Sequence, residues 1–355
     1  MLLPSPRGAV SAALASCLLH GDEPDALNDL VEAALVLVDD LITDDDIQIS
    51  LFMLYELHYL GFDDVDDALE WNPELLRARA RIEARLEEQL RTSVSVTEHP
   101  LPTVDAVAGA LFRMTAPTAG PGLSRYVAKK AGEQQLRELL LHRSVYQLKE
   151  ADPHTWAIPR LSGVPKAALV EVQTDEYGNG RPELMHSALF ARTMRALGLN
   201  DDYGHYVDQL PAVTLASLNT MSMFGLHRRL RGAIAGHLAA VEMTSSIPNR
   251  LYGDGFRRLG HDSDTTLYFD EHVEADAVHE QIAGRDLAGA LAEASPELLD
   301  DILFGAASCL LLDDLVAQHL LTAWRNGESS LRAPGEPRLG ARERTRSRVP
   351  GHYHG

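Results

Sequence analysis

Apolar residues recur at spacings of three and four along most of this chain, and the period-two alternation that marks a half-buried strand is almost absent. "AVSAALASCLLH", "DALNDLVEAALVLVDDL", "DIQISLFMLYELHYLGF" and "PELLRARARIEARLEEQLR" follow one another between residues 8 and 96, each able to bury one apolar stripe against a neighbour. The pattern predicts an all-α fold. Further helices are expected over 125–149, 166–175, 182–197, 211–223, 226–245, 251–259, 265–283 and 296–326. Pro followed by Glu opens two of them, "RPELMHSALF" and "SPELLDDILF", as suits a first helical turn and the positive end of a helix dipole.

Connectors divide this helical text. "TEHPLPT" (97–103) and "TAPTAGPG" (115–122) concentrate Pro, Gly and Thr. We therefore expect an N-terminal helical region over 1–118, a candidate dimerisation surface, and a main helical core over 119–326. From residue 327 the chain turns to Pro, Gly and Arg without periodicity, as in "LRAPGEPRLGARERTRSRVPGHYHG", and a disordered tail is expected over 327–355.

Charge and cysteine usage narrow the partners. Among 355 residues, 32 Lys and Arg face 52 Asp and Glu, a formal charge of -20, which repels phosphate backbones and anionic lipid. Neither a nucleic acid nor a membrane is an expected partner. Cys17 and Cys309 form no disulfide framework and no CxxC pair, which fits a reducing cytoplasm. The N-terminus up to "LASC" imitates a lipoprotein signal only faintly, since the apolar stretch over 8–13 is short and the helical pattern continues past Cys17. No run of about 18 apolar residues is present. A cytoplasmic protein is expected.

One helix carries unusual chemistry. "FDEHVEADAVHE" places His272, Asp276 and His279 at offsets of four and seven, which return to within about 40° of the starting direction. Two imidazoles and a carboxylate on one stripe suit iron, manganese or zinc, although a solvated polar face gives the same pattern. Partners for such a site exist elsewhere. "DEYGNGRPELMH" offers Glu176, a reversal at Gly178 and Gly180, and His186 on the next helix. "LKEADPH" ends a helix at Glu150, and "AAVEMTSS" sets Glu242 among small and apolar residues where an unpaired carboxylate is costly. Taken singly, Glu150 reads as a helix-end charge, Glu176 as a loop charge and His186 as a core histidine. Together they point to a buried metal site.

In order and spacing, Glu150, Glu176 with its "DEYGNG" turn, His186, Glu242, His272, Asp276 and His279 resemble the ligand set of the haem-oxygenase-like diiron oxidases and oxygenases, over roughly residues 119–326. "LYELHYLGFDDVDDALEWNPELL" is similar to the N-terminal helices of bacterial iron-containing redox enzymes. The resemblance implies a haem-oxygenase-like helical bundle preceded by an N-terminal helical region, with those seven residues as catalytic metal ligands. It implies two ferrous irons, with manganese as the alternative metal, and dioxygen as co-substrate. A small-molecule substrate and an external electron donor follow, with N-oxygenation or C–H or C–C oxidation as the outcome, in specialised-metabolite biosynthesis. An N-oxygenating member of close spacing continues into a cupin-like metal domain where this chain has a polar tail, so that member's second step is expected to be missing. The competing reading is a helical metal-storage or interaction protein without oxygenase turnover.

Other constellations carry less. "LVDDLITDDD" resembles an Asp-rich magnesium motif but has no second such motif at a suitable distance, and reads as a solvated acidic face. Glu56 and His58 in "YELHYLGF" project to different sides of a helix and read as polar contacts. Haem ranks well below diiron, because several carboxylates around a porphyrin would be costly. No Walker, Rossmann or GxSxG pattern occurs.

Overall fold

In the computed structural model, described over residues 1–22, 24–117 and 122–333 without the side chains of 274–277, helices follow one another with no strand among the described residues. The N-terminal part comprises α1 (Ala9–His20), α2 (Pro24–Leu37), α3 (Asp45–Glu56), α4 (Pro73–Ser93) and α5 (Val104–Met114). The remainder comprises α6 (Leu123–Lys129), α7 (Glu133–Gln147), α8 (Asp152–Thr155), α9 (Gly163–Glu176), α10 (His186–Ala196), α11 (Ala212–Leu226), α12 (Arg231–Arg258), α13 (Ser263–Gln281), α14 (Ala290–Ala294) and α15 (Leu299–Arg325). A π-helical segment, Ile282–Gly289, joins α13 to α14. No helix among the described residues is long and apolar enough to cross a membrane.

Local signals set several boundaries. Pro73 opens α4, where the Asn72 side chain accepts from the backbone N–H groups of Glu74 and Leu75. The acidic run before α3 is a solvated face only in part: Asp39 and Asp40 are exposed, while its last three aspartates are engaged. Asp44 caps α3 by accepting from Ile47 N, and Asp46 accepts from Val10 N at 2.9 Å and Ser11 N at 2.7 Å, satisfying the first turn of α1. Asp45 pairs with Arg7 and Arg332.

The helix α12 is the spine of the molecule. It packs against α15, α13 and α6, and its stretch from Gly232 to Ala240 is buried. A Cβ on Gly236 would run into the backbone of Ile302 in α15, and one on Gly305 into the backbone of Ala233, so two glycines let these helices approach backbone to backbone. The sequence predicts separate helices over 226–245 and 251–259; instead α12 continues through Pro248. An interior proline costs about 3 kcal/mol of helix stability, and the long packing of α12 against three neighbours outweighs it.

The N-terminal helices share their core with the rest of the chain. Ile47, Met53 and Leu86 belong to the same apolar cluster as Leu215, Ala239 and Ile302. A second cluster gathers Leu136, Phe190, Phe256, Tyr268 and Trp324. The helix α3 lies against α11, where Asn219 Nδ2 donates to the backbone and side-chain oxygens of Gln48. Glu56 is 1% exposed and meets Lys149 Nζ at 2.8 Å and the Tyr203 hydroxyl at 2.9 Å. His58 Nδ1 lies 3.2 Å from Glu70. Both residues make polar contacts, and both are buried.

Residues 327–333 depart from the expected disordered tail. They fold back over α7, where Glu138 accepts from Trp324 Nε1, Ser329 Oγ, Ser330 N and Ser330 Oγ at 2.7–2.9 Å. Burial pushes the Glu138 carboxyl up, and these donors outweigh it and hold it below its ordinary value. A carboxylate with so many donors pins the segment; residues 334–355 lie outside the described residues.

His142 sits beneath this segment, with Nδ1 at 2.7 Å from Thr214 Oγ1 and Nε2 at 3.0 Å from Ser330 Oγ. Because Ser330 Oγ donates to Glu138, its oxygen accepts from Nε2–H, which makes His142 the neutral Nε2–H tautomer. Burial, aided by the charge of His319, lowers its pKa to about 3. Folding therefore favours the neutral ring, and the stability it contributes is complete above the unfolded value of about 6.5 and is lost as pH falls toward 3. The stability gap between wild type and His142→Asn should narrow by about 1.4 kcal/mol per pH unit between roughly pH 6 and 4. Urea unfolding across that range measures it, and a constant gap would mean the ring is not held neutral.

Candidate metal centre

Helix ends and long helix faces bring six of the expected ligands to one place. Glu150 lies in the turn after α7, where Ala151 takes a left-handed conformation (φ 77°) and its carbonyl accepts from Gln173 Nε2 at 2.8 Å. A non-glycine residue held there is strained, and the Gln173 bond fixes the turn. Glu176 is the last residue of α9 and His186 the first of α10. Between them Gly178 (φ 65°) reverses the chain so tightly that a Cβ would lie 2.6 Å from the Leu184 and Met185 backbone. Glu242 projects from α12, and His272 and His279 from α13. Asp276 lies on the same α13, but its side chain is outside the described residues.

Two groups of donor atoms result, and they share a member. Glu150, Glu176, His186 and His272 place one ligand atom each within 4.8 Å of one another, and so do Glu176, Glu242 and His279. All six residues are buried. Glu176 Oε2 approaches His186 Nδ1 to 2.8 Å, yet both atoms lack a hydrogen bond, as does His279 Nδ1, which lies 3.4 Å from Glu242 Oε2. Buried donors and acceptors are otherwise almost always satisfied. Two orphaned imidazole nitrogens and one orphaned carboxylate oxygen facing this cluster are what a cation would satisfy, and nitrogen with oxygen is the donor set for iron or manganese.

Residues behind the donors orient them. His272 Nδ1 donates to the carbonyl of Tyr268 at 2.8 Å, which turns Nε2 toward Glu150, 3.5 Å away. The Tyr268 hydroxyl donates to both oxygens of Glu150 at 3.0 Å. His279 Nε2 meets Asp175 Oδ2 at 3.0 Å, leaving Nδ1 for the second group. Such outer hydrogen bonds fix a ligand's tautomer and aim. Sequence reasoning missed Tyr268 and Asp175. Tyr268 stands four residues before His272 on the same stripe of α13, and Asp175 directly precedes Glu176. These positions were the available signal.

The electrostatics are those of buried carboxylates facing imidazoles. Burial pushes the Glu176 carboxyl up, but His186 first, then His272 and His279, outweigh it and hold it low. Burial, reinforced by Glu176, leaves Glu242 raised despite His279. Burial would lower His279, but Glu242, Asp175 and Glu176 raise it to about 9. His186 is raised above its ordinary value because Glu176 overcomes burial. A metal ion entering this cluster must displace protons from histidines.

The chamber bounded by Glu150, Glu176, Glu242 and His272 has a volume of about 50 Å³, room for ions and a few waters and far too little for a porphyrin. Tyr268→Phe should lower ferrous-ion affinity about 10- to 100-fold while leaving the helices intact, since it removes the hydroxyl that holds Glu150. Competition with a chromogenic chelator measures this; unchanged affinity would show that the hydroxyl does nothing for the site.

Residues 137–314 match the family described as iron-containing redox enzyme, and the chain belongs to that haem-oxygenase-like family. Membership defines its class as an oxidoreductase that works with iron. Over 209 residues it is also 26% identical to the nitrosourea synthase of Streptomyces achromogenes subsp. streptozoticus. That stretch is 59% of this chain and 44% of the relative, so the chain spans less than half the length of the protein it matches.

Proposed function

We propose that this chain is a non-haem diiron oxidase or oxygenase that activates dioxygen and acts on a small metabolite in specialised-metabolite biosynthesis. The observation that carries this reading is the pair of buried donor groups joined at Glu176. Glu150, Glu176, His186, Glu242, His272 and His279 are the residues that would hold the iron; the Asp276 side chain lies outside the described residues. Two ferrous ions there would supply the electrons that reduce dioxygen, and an external donor would restore them.

The chain's own residues prepare the site. Tyr268 and Asp175 hold Glu150 and His279 in place, and Leu238 and Val241 of α12 give the chamber an apolar wall that limits water. The relative named nitrosourea synthase favours nitrogen oxygenation as the outcome, with C–H or C–C oxidation as the other. The N-terminal helices would serve as a homodimer surface. Anaerobic ferrous loading, iron analysis and rapid mixing with oxygen test the proposal. About two irons per chain and a transient visible band are expected; no bound iron, or iron that oxidises without a transient and without product, would favour metal storage.

A further inference from the structure

Two buried imidazoles stand between the metal chamber and a neighbouring cavity. His154 of α8 and His237 of α12 are 1% and 3% exposed, and His154 Nε2 lies 3.2 Å from His237 Nδ1. His154 lines the chamber bounded by Glu150, Glu176 and Glu242, whereas His237 lines a separate cavity of about 450 Å³. The exposed Asp313 and Asp314 also line that cavity, so it reaches the surface. The pair spans the wall between a closed space and an open one.

Both rings are neutral. The aromatic rings of Tyr146 and Phe224 flank them. Burial, against the pull of Glu176, lowers His154 to about 4, and burial together with His154 holds His237 well below its ordinary value. A neutral imidazole carries one N–H, so the bond between the rings has two possible orders. In one, His154 Nε2–H donates to His237 Nδ1, leaving an acceptor at His154 Nδ1 and a donor at His237 Nε2; in the other, every donor and acceptor is exchanged. Either order presents a donor at one end and an acceptor at the other. A histidine that serves packing alone has its buried nitrogens satisfied, yet His154 Nδ1 is buried without a hydrogen-bond partner.

We propose that His154 and His237 form a proton relay that joins the surface-reaching cavity to the metal chamber. A proton taken up at His237 Nε2 releases the Nδ1–H proton to His154 Nε2, and the His154 Nδ1–H proton passes to an acceptor in the chamber. Two N–H bonds form on the rings and two break, so no charge stays on the pair and both tautomers are reversed. A proton returning the other way, or a half-turn of the rings, restores the first order. The proposal rests on the reading of the chamber as an iron site that activates dioxygen. Reduction of dioxygen consumes protons, while the apolar wall of Leu238 and Val241 limits water, so the chamber needs a route for protons that is not a route for bulk solvent.

Two readouts test this. Nitrogen NMR of the histidine rings in the metal-free, full-length protein at pH 7 shows which nitrogen carries the proton. The two rings, identified by their contacts with Tyr146 and Phe224, should be neutral, with both tautomers in exchange; charged rings or a single fixed tautomer would overturn the relay. The second readout is oxygen uptake by the ferrous-loaded protein with ascorbate as reductant. His237→Ala should be about a hundredfold slower than wild type, the lower end of what positioned proton transfer contributes, with wild-type iron content and circular dichroism. Added imidazole should restore most of the rate, whereas N-methylimidazole, which has only one nitrogen able to exchange a proton, should not. His154→Gln, which keeps a hydrogen bond but no relay, should be equally slow. A wild-type rate in folded, iron-loaded His237→Ala, no rescue by imidazole, or equal rescue by both additives would also overturn the proposal. If a variant does not fold, the wild-type spectrum decides the matter. Tautomer exchange in a protein that loads no iron would fault the iron reading and keep the relay; iron loading beside a fixed tautomer would do the reverse.

Discussion

Glu176→Ala should lower oxygen-dependent turnover by at least about a thousandfold, beyond the roughly 10- to 100-fold expected from a change behind the ligands. Glu176 is the member common to both donor groups, so its removal takes a ligand from each at once. Iron content after anaerobic loading should fall well below that of wild type. Glu150→Ala provides the contrast, since it strips one group and leaves Glu176, Glu242 and His279 together; about one iron per chain should remain. The helical circular dichroism signal should persist in both variants, because Glu176 ends α9 and Glu150 lies in a turn. Iron analysis with an oxygen electrode makes the measurement. Wild-type turnover in a folded Glu176→Ala protein would remove the carboxylate from the site.

The second large effect lies away from the iron ligands. Lys149→Met should destabilise the fold by about 3–5 kcal/mol, because the buried Glu56 would lose its cationic partner. Glu56 is 1% exposed, its Oε2 meets Lys149 Nζ at 2.8 Å, and its Oε1 has no hydrogen-bond partner. The Tyr203 hydroxyl alone would face the carboxylate. Replacing both partners, Lys149→Met with Glu56→Leu, should recover much of the loss, since an apolar pair leaves no stranded charge. Urea unfolding of the two variants decides this. A single-variant loss under about 1 kcal/mol, or a double variant no better than the single, would show that the pair is not the joint it resembles.

Much of this was legible in the sequence because it is local or periodic. The three-and-four spacing predicts the helices, and the α13 stripe with its outlying glutamates predicts that His272 and His279 meet Glu150, Glu176, His186 and Glu242. Three features were not legible, each for a physical reason. The continuation of α12 through Pro248 depends on packing along α13 and α15, which local propensity does not register. The division of six residues into two groups sharing Glu176 depends on how α9 and α10 meet after the Gly178 reversal, a matter of tertiary geometry. Residues 327–333 look like solvated tail, but Glu138 on α7 supplies acceptors that only the folded chain places within reach.

The candidate ligands come from the turn after α7 and from α9, α10, α12 and α13, whereas a neighbouring cavity of about 450 Å³ has a wall built by α11 and α15, which contribute none. Inherited changes on those two helices can therefore recut the cavity while the donor cluster stays as it is. Gly236 and Gly305 set the limit, because they lock α15 against the helix that carries Glu242. Within that limit the cavity can change shape without disturbing the buried donors, and a protein engineer would begin with the side chains of α11 and the outer turns of α15.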